Sequence, residues 1–289
     1  MVRVASRAAD FLQESGADDV VGYVRSQVQA DGGFRGRSSA SDLYYTFFGG
    51  SALVALNRPP RPGPVRKYLE TFGDGETLDF VHAASCAQCW AALPYPLANR
   101  QARRLLRRLE AFRATDGGYS PAAPGAARGS VYGGFLAFLS YEMTGDPLPR
   151  QESLLDSVRS LQTADGGYAN APEVPVGTTT ATAAAVLLRQ WLADAVDSPA
   201  VAALGACECP TGGFRASAQA PSPDLLSTAT ALYALRKVGS RIAIAERHLE
   251  FVERLWDDSG GFRGHPADPV TDCEYTFYAL LALGCLHAE

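Results

Sequence analysis

The chain is expected to be all-α and to fold as an α/α toroid, a closed barrel of six helix pairs in two concentric rings. Three observations lead there. A Gly-Gly-aromatic signature recurs along the sequence, an amphipathic helical pattern precedes it, and a nearly all-apolar helical pattern follows it. The clear copies are Ala30-Asp31-Gly32-Gly33-Phe34, Thr115-Asp116-Gly117-Gly118-Tyr119, Ala164-Asp165-Gly166-Gly167-Tyr168, Pro210-Thr211-Gly212-Gly213-Phe214 and Asp258-Ser259-Gly260-Gly261-Phe262. Their first glycines stand 85, 49, 46 and 48 residues apart. The first interval is close to two periods, and a degenerate copy, Phe72-Gly73-Asp74-Gly75, falls inside it. That makes six units in a single domain over 1–289.

Each unit has the same grammar. Amphipathic helices are expected over segments such as 20–29, 102–112, 154–162 and 245–256, and their charged faces suit an outer ring. The Gly-Gly turn ends each one, because glycine takes the positive φ of a helix C-cap without strain. The following aromatic packs back over the helix end. A polar loop leads into a more apolar helix, near 42–56, 79–93, 130–143, 178–192, 224–238 and 272–286. These open on Asp, Ser or Thr, which are good N-caps. Being apolar nearly all round, they belong to the inner ring. Closure is favoured over an open solenoid because neither end carries a polar capping repeat.

Composition narrows the function. The 289 residues are 47% hydrophobic, with a net charge of -5, so there is no electrostatic footprint for nucleic acid or an anionic membrane. The arginines of 103–108 sit at helical spacing beside leucines and read as a solvated helix face. No apolar run reaches the roughly 18 residues of a membrane span. The first residues carry charges and no apolar signal-like core. The six cysteines fall largely in apolar helical runs and suit reduced thiols, so the expected setting is cytoplasmic.

Parallel inner helices would gather their N-termini at one rim of a central cavity. Unpaired N–H groups and positive dipole ends there would favour an anion above an apolar bowl. A greasy ligand with a negative head suits such a site.

The signature, followed by Asp-x-x-[Tyr/His]-[Ser/Thr]-x-[Tyr/Phe] at an inner-helix start, resembles the prenyltransferase and squalene-cyclase repeat. The form it is most similar to is that of bacterial proteins like the protein prenyltransferase β subunit. The matching starts are Asp42-Leu43-Tyr44-Tyr45-Thr46-Phe47-Phe48, Asp79-Phe80-Val81-His82, Asp224-Leu225-Leu226-Ser227-Thr228 and Asp272-Cys273-Glu274-Tyr275-Thr276-Phe277-Tyr278. The resemblance implies an isoprenoid or similar apolar substrate, such as a prenyl diphosphate, with a catalytic zinc held by Asp-x-Cys and a His of the next unit, and a second subunit or a homodimer. Here no Asp-x-Cys stands at an inner-helix start. Asp42 and His82 match two of the three ligands, with Tyr44 in the place of Cys. Class II terpene cyclases of the same family use an Asp-x-Asp-Asp acid, and no such run is present.

Candidate site residues follow from position. Asp272 and Glu274 place two carboxylates at one rim, beside the phenol of Tyr275, and such pairs do acid–base work when their environments split their pKa values. Asp42, His82 and Tyr45 complete the catalytic candidates. Tyr44, Phe48, Tyr132 and Tyr278 are expected to line the cavity and stabilise cations through their ring faces. Arg128, just ahead of Ser130, is the candidate for a diphosphate. Three readings stay open: a prenyltransferase-like enzyme, a metal-free terpene-type cyclase or isomerase with a carboxylic acid as proton donor, and a non-catalytic toroid that binds a lipid or a partner.

Overall fold

Each inner helix starts on a residue whose own side chain closes its first turn. The computed structural model describes residues 1–95, 98–192 and 196–287. Its helices are α1 (Val2–Ala5), α2 (Ala9–Ser26), α3 (Leu43–Ala55), α4 (Pro62–Glu70), α5 (Phe80–Ala92), α6 (Ala98–Glu110), α7 (Val131–Thr144), α8 (Gln151–Arg159), α9 (Thr179–Trp191), α10 (Ser198–Ala206), α11 (Leu225–Lys237), α12 (Ala245–Glu253) and α13 (Cys273–Leu286). The odd-numbered helices from α3 to α13 form the inner ring. Each packs on the next, and α13 packs back on α3, so the ring closes. The even-numbered helices lie outside, each against an inner helix.

The inner helices begin one residue later than the sequence pattern suggests, because the residue at each expected start is the cap. Asp42, Asp79, Ser130, Thr178, Asp224 and Asp272 are all extended, and each accepts a backbone N–H from its helix's first turn. The return from turn to cap is short enough to pair. β1 (Phe34–Arg35) pairs antiparallel with β2 (Ser41–Asp42), and β3 (Phe214–Arg215) with β4 (Pro223–Asp224).

The Gly-Gly turn does two jobs. Gly32, Gly117, Gly166, Gly212 and Gly260 have φ between +83° and +96°, a region that costs other residues strain. They also seat against the outer helix of the next unit. A Cβ on Gly32 would strike the Pro64 carbonyl, one on Gly212 the Arg247 carbonyl, and one on Gly260 the Asp19 carbonyl of α2. The last of these joins the sixth unit to the first.

Behind each clear turn the aromatic is buried, and at four of the five its amide donates to a threonine of its own inner helix; at the fifth, Tyr119, the matching position is Gly134. Phe34, Tyr168 and Phe214 reach Thr46, Thr182 and Thr228 at 2.9 Å, and Phe262 reaches Thr276 at 3.2 Å. The two tyrosines have acids to receive their hydroxyls: Tyr119 donates to the half-buried Glu110 at 2.5 Å and Tyr168 to the buried Asp197 at 2.7 Å. Arg215 and Arg263, after the turn, donate to the carbonyls of Ala206 and Trp256 at 3.0 Å, closing the ends of the outer helices.

One element has no counterpart in the sequence pattern. α1 and the 3₁₀ turn Ser6–Ala8 lie on α13 and α3 at the C-terminal end of the inner ring. Gly284 makes this possible, since a Cβ there would collide with the Val4 carbonyl. No helix among the described residues is long and apolar enough to cross a membrane.

The turn geometry is open to a direct test. Gly260→Ala should destabilise the protein by about 2 kcal/mol, from strain at positive φ and the clash with Asp19. Gly22→Ala, in α2 with open space around its Cβ, should stabilise by about 0.5–1 kcal/mol. Denaturant melts of the two variants check both signs.

Candidate active site

Helical spacing turns a few side chains of each inner helix towards the axis. On α13 these are Glu274, Tyr278 and Leu281; on α3, Tyr44, Phe47 and Phe48; on α7, Tyr132, Phe135, Leu136 and Leu139. Together they line a cavity of about 230 Å³, below the roughly 300–1,000 Å³ of common ligand pockets. Its aromatic wall is continuous: Phe48 lies 4.8 Å from Tyr44 and 5.3 Å from Tyr278, centroid to centroid. Met1 and Tyr233 stand at the far end. The polar groups of the lining are few. They include Glu274 and the hydroxyl and amide side chains of Ser85, Gln88, Thr180 and Thr230.

Glu274 is the acid of the cavity. Tyr44 Oη donates to its Oε1 at 2.6 Å. Burial pushes the Glu274 carboxyl up to about 7, with Asp272 adding to the rise while the Tyr44 hydrogen bond and Arg37 oppose it. Glu274 therefore exchanges its proton around neutral pH, next to a phenol ready to stabilise the carboxylate left when the proton departs. The phenols follow the same cause. Burial raises Tyr44 and Tyr278 far above the ordinary tyrosine value, and Tyr132 to about 12.

Asp272 has a different position. It caps α13 by accepting from the Tyr275 amide at 2.9 Å, and Arg37, from the loop of the first unit, donates to it at 3.1 Å. Arg37 also holds Asp268 at 2.9 Å. Burial raises the Asp272 carboxyl against the pull of these donors. It is a ring-closing ion pair behind Glu274, and it is not among the residues lining the cavity.

Asp42, His82 and Asp79 meet at the rim. His82 Nδ1 lies 2.8 Å from Asp79 Oδ2, and Nε2 lies 3.0 Å from Asp42 Oδ2. Engaging both carboxylates requires a proton on each ring nitrogen, which is the imidazolium. Burial opposes that charge, but the two acids outweigh it and the His82 pKa is raised. Tyr45 and Tyr275 pack beneath Gly36 and Gly264 of the loops, where a Cβ would strike their rings. Arg37 lies 5.5 Å over the Tyr275 ring. Arg128 is exposed on the loop ahead of α7. Of the candidates, the structure thus brings Glu274, Tyr44, Phe48, Tyr132 and Tyr278 into the cavity. It leaves Asp272, Asp42, His82, Tyr45, Tyr275 and Arg128 out of its lining.

Two expectations meet resistance. The rim is not a bare ring of positive helix ends, because every inner helix spends a first-turn N–H on its own cap, and four of the six caps are carboxylates. Asp42, Asp79, Asp224 and Asp272 make it acidic, which disfavours a diphosphate. The zinc that the resemblance implies does not fit the residues either. Tyr44, in the place of the thiol, is bound to Glu274, and both nitrogens of His82 face carboxylates. The cysteines on the same helix are held as thiols, Cys86 being pushed up to about 12 by burial and Cys89 further. Among the described residues no group of three His, Cys, Asp or Glu side chains is arranged to hold a metal.

Sequence patterns pass over Asp79 as a partner of His82, and Ser85 and Gln88 as cavity residues. Spacing offered a signal: Ser85 and Gln88 lie three and six residues after His82, on one face of an otherwise apolar helix.

The His82 cluster carries a pH signature. A raised folded pKa stabilises the protein below the ordinary histidine value and loses that contribution as pH rises through the folded value. The melting-temperature gap between the wild type and His82→Gln should therefore be larger near about pH 6 than near about pH 9. A gap that does not change with pH would show that His82 is neutral in its cleft.

Comparison with curated proteins found no match. Among solved structures, the type II terpene cyclase MstE from Scytonema in complex with merosterolic acid A (product) superposes with a TM-score of 0.65 at 14% identity, covering 98% of this chain and 97% of that one. A complex of MstE with its substrate, geranylgeranyl dihydroxybenzoate, gives a TM-score of 0.64 at 12% identity, covering 99% and 98%. The unsaturated glucuronyl hydrolase of Bacillus sp. GL1 gives 0.59 at 16% identity, covering 93% and 95%. Such likeness shows the shared fold, and the different chemistries of those enzymes show that function has to be argued from the site. The family described as the prenyltransferase alpha-alpha toroid domain matches residues 8–201 and 180–289. With the six turn-and-helix units that close on themselves, this places the chain in the prenyltransferase α/α-toroid family.

Proposed function

We propose that the protein is an enzyme of the terpene cyclase or isomerase type, which binds a compact isoprenoid in the central cavity and starts its reaction by proton transfer from Glu274. One observation carries this: a carboxylic acid that lines an aromatic cavity and is hydrogen-bonded to a phenol, where burial pushes its pKa up to about 7. In its protonated form Glu274 delivers a proton to an electron-rich double bond or an oxygen of the substrate. The carbocation that forms lies among the ring faces of Tyr44, Phe48, Tyr132 and Tyr278, which stabilise positive charge. Tyr44 Oη keeps its hydrogen bond to the new carboxylate. Loss of a proton from the cation then yields a cyclised or rearranged alkene.

Likeness to a terpene cyclase with substrate or product bound supports this reading at the level of the fold. The acidic rim favours it over prenyl transfer from a diphosphate, which calls for a cationic clamp on the leaving group. Arg37, the cation nearest Glu274 in the network, is already shared between Asp268 and Asp272. On this reading the reacting groups all come from one chain.

Glu274→Gln keeps the shape and removes the proton. Incubated with neutral prenyl alcohols and prenylated phenols, it should lose about 10²–10⁴-fold in product formation measured by mass spectrometry. Wild-type activity should fall as pH rises through about 7, since the reactive form is the protonated one. Full activity of Glu274→Gln, or activity that grows with pH, would falsify the acid role, and a wild type that turns over none of these probes would favour a binding toroid.

A further inference from the structure

Half-way down the cavity, α5 presents two polar atoms that the protein leaves unanswered. Ser85 and Gln88 are 4% and 2% exposed, and both line the cavity. Gln88 Nε2 donates to Ser140 Oγ at 3.0 Å, and Ser140 Oγ donates in turn to the Leu136 carbonyl at 2.8 Å. The serine has one proton and it is used on Leu136, so its oxygen has to accept from Gln88. This fixes the orientation of the amide: the NH₂ faces Ser140 and the carbonyl oxygen Oε1 faces elsewhere. No described residue donates to Oε1, and it is not among the fully enclosed, unpaired atoms, so its accessible surface is the cavity. Ser85 Oγ, one turn above on the same face, likewise makes no hydrogen bond to a described residue.

Buried polar atoms are normally paired, because an unsatisfied one keeps its full desolvation cost. Two of them on one face of an inner helix, one held in a fixed orientation from behind, mark a polar subsite in an apolar wall. Its depth follows from helix geometry. Gln88 lies nine residues along α5 from its Asp79 cap, and Glu274 lies two residues along α13 from its Asp272 cap. With the caps at a common rim, seven residues of rise separate the two groups by about 10 Å along the axis.

We propose that Gln88, with Ser85, is a specificity determinant that receives a hydroxyl group on the ligand, so that the substrate is an oxygenated isoprenoid bearing a hydroxyl about 10 Å from the end that meets Glu274. This rests on the isoprenoid reading of the cavity given above. The ligand hydroxyl donates its one proton to the carbonyl of Gln88 and accepts the proton of the Ser85 hydroxyl. A plain hydrocarbon end leaves both unpaired and is bound less well.

Geraniol and 8-hydroxygeraniol test this, because they differ only by a hydroxyl at the far end of the same ten-carbon chain. Calorimetric titration of the wild type should show 8-hydroxygeraniol bound about tenfold more tightly. Gln88→Leu should remove that preference while leaving the affinity for geraniol in place, and Ser85→Ala should reduce it by about threefold. Should Gln88→Leu fail to fold, Gln88→Met makes the same test with a flexible side chain. Equal affinities in the wild type, or a preference that survives the loss of the amide, overturn the subsite but not the cavity reading. Failure of both alcohols to bind overturns both.

Discussion

A single hydrogen bond, repeated, holds the architecture together: behind four of the five clear Gly-Gly turns the aromatic's amide reaches the hydroxyl of a threonine in the first turn of the next helix, as in Phe34 to Thr46 and Phe214 to Thr228. The same threonine hydroxyl donates to the carbonyl of its capping aspartate, at 2.6 Å for both Thr46 and Thr228. Turn, cap and helix are thereby locked within one unit. The glycine at positive φ then docks that unit on the outer helix of its neighbour. Because the outer surface of the sixth turn meets Asp19 of the first outer helix, local geometry propagates until the ring meets itself. The Arg37 pair with Asp272 repeats the closure at the rim.

The site grows out of the same construction. A carboxylate is a good cap because the helix start offers unpaired N–H groups. Four inner helices use one, so the rim gathers negative charge as a by-product of stable helix starts. Where one unit adds a second acid two residues on, that acid can no longer be solvated by the helix end. Glu274 points inward among rings instead of joining the cap, and burial raises its pKa. The cap of its neighbour, Asp42, and that of the next unit, Asp79, trap His82 between them. One structural position thus serves three ends: helix stop-and-start, ring closure and proton chemistry.

Particular residues show where sequence reasoning reaches and where it ends. Asp42, Asp79, Asp224 and Asp272 were legible as caps because capping is a local matter of backbone and side chain. Tyr44, Tyr132 and Tyr278 were legible as cavity residues because helical periodicity assigns a face once the inner ring is known. Tyr45 and Tyr275 look equivalent by proximity to the rim, yet they pack beneath loop glycines 36 and 264, contacts that depend on how the loop folds over the helix start. Gln88 was passed over because its neighbours in sequence are apolar, and its meaning arises only from Ser140, which is fifty-two residues away.

By itself the sequence determined the repeat, the helix starts, the order of the rings and the family, since each follows from spacing and from interactions a few residues long. Only the tertiary structure decided which polar groups face one another. It paired His82 with two acids, gave Arg37 to Asp272, and left Glu274 to Tyr44 in an apolar cavity. It also laid α1 across the far end of the ring. The reason is physical: hydrogen bonding and desolvation depend on what surrounds a group, and in a closed ring those surroundings come from units that are distant in the chain.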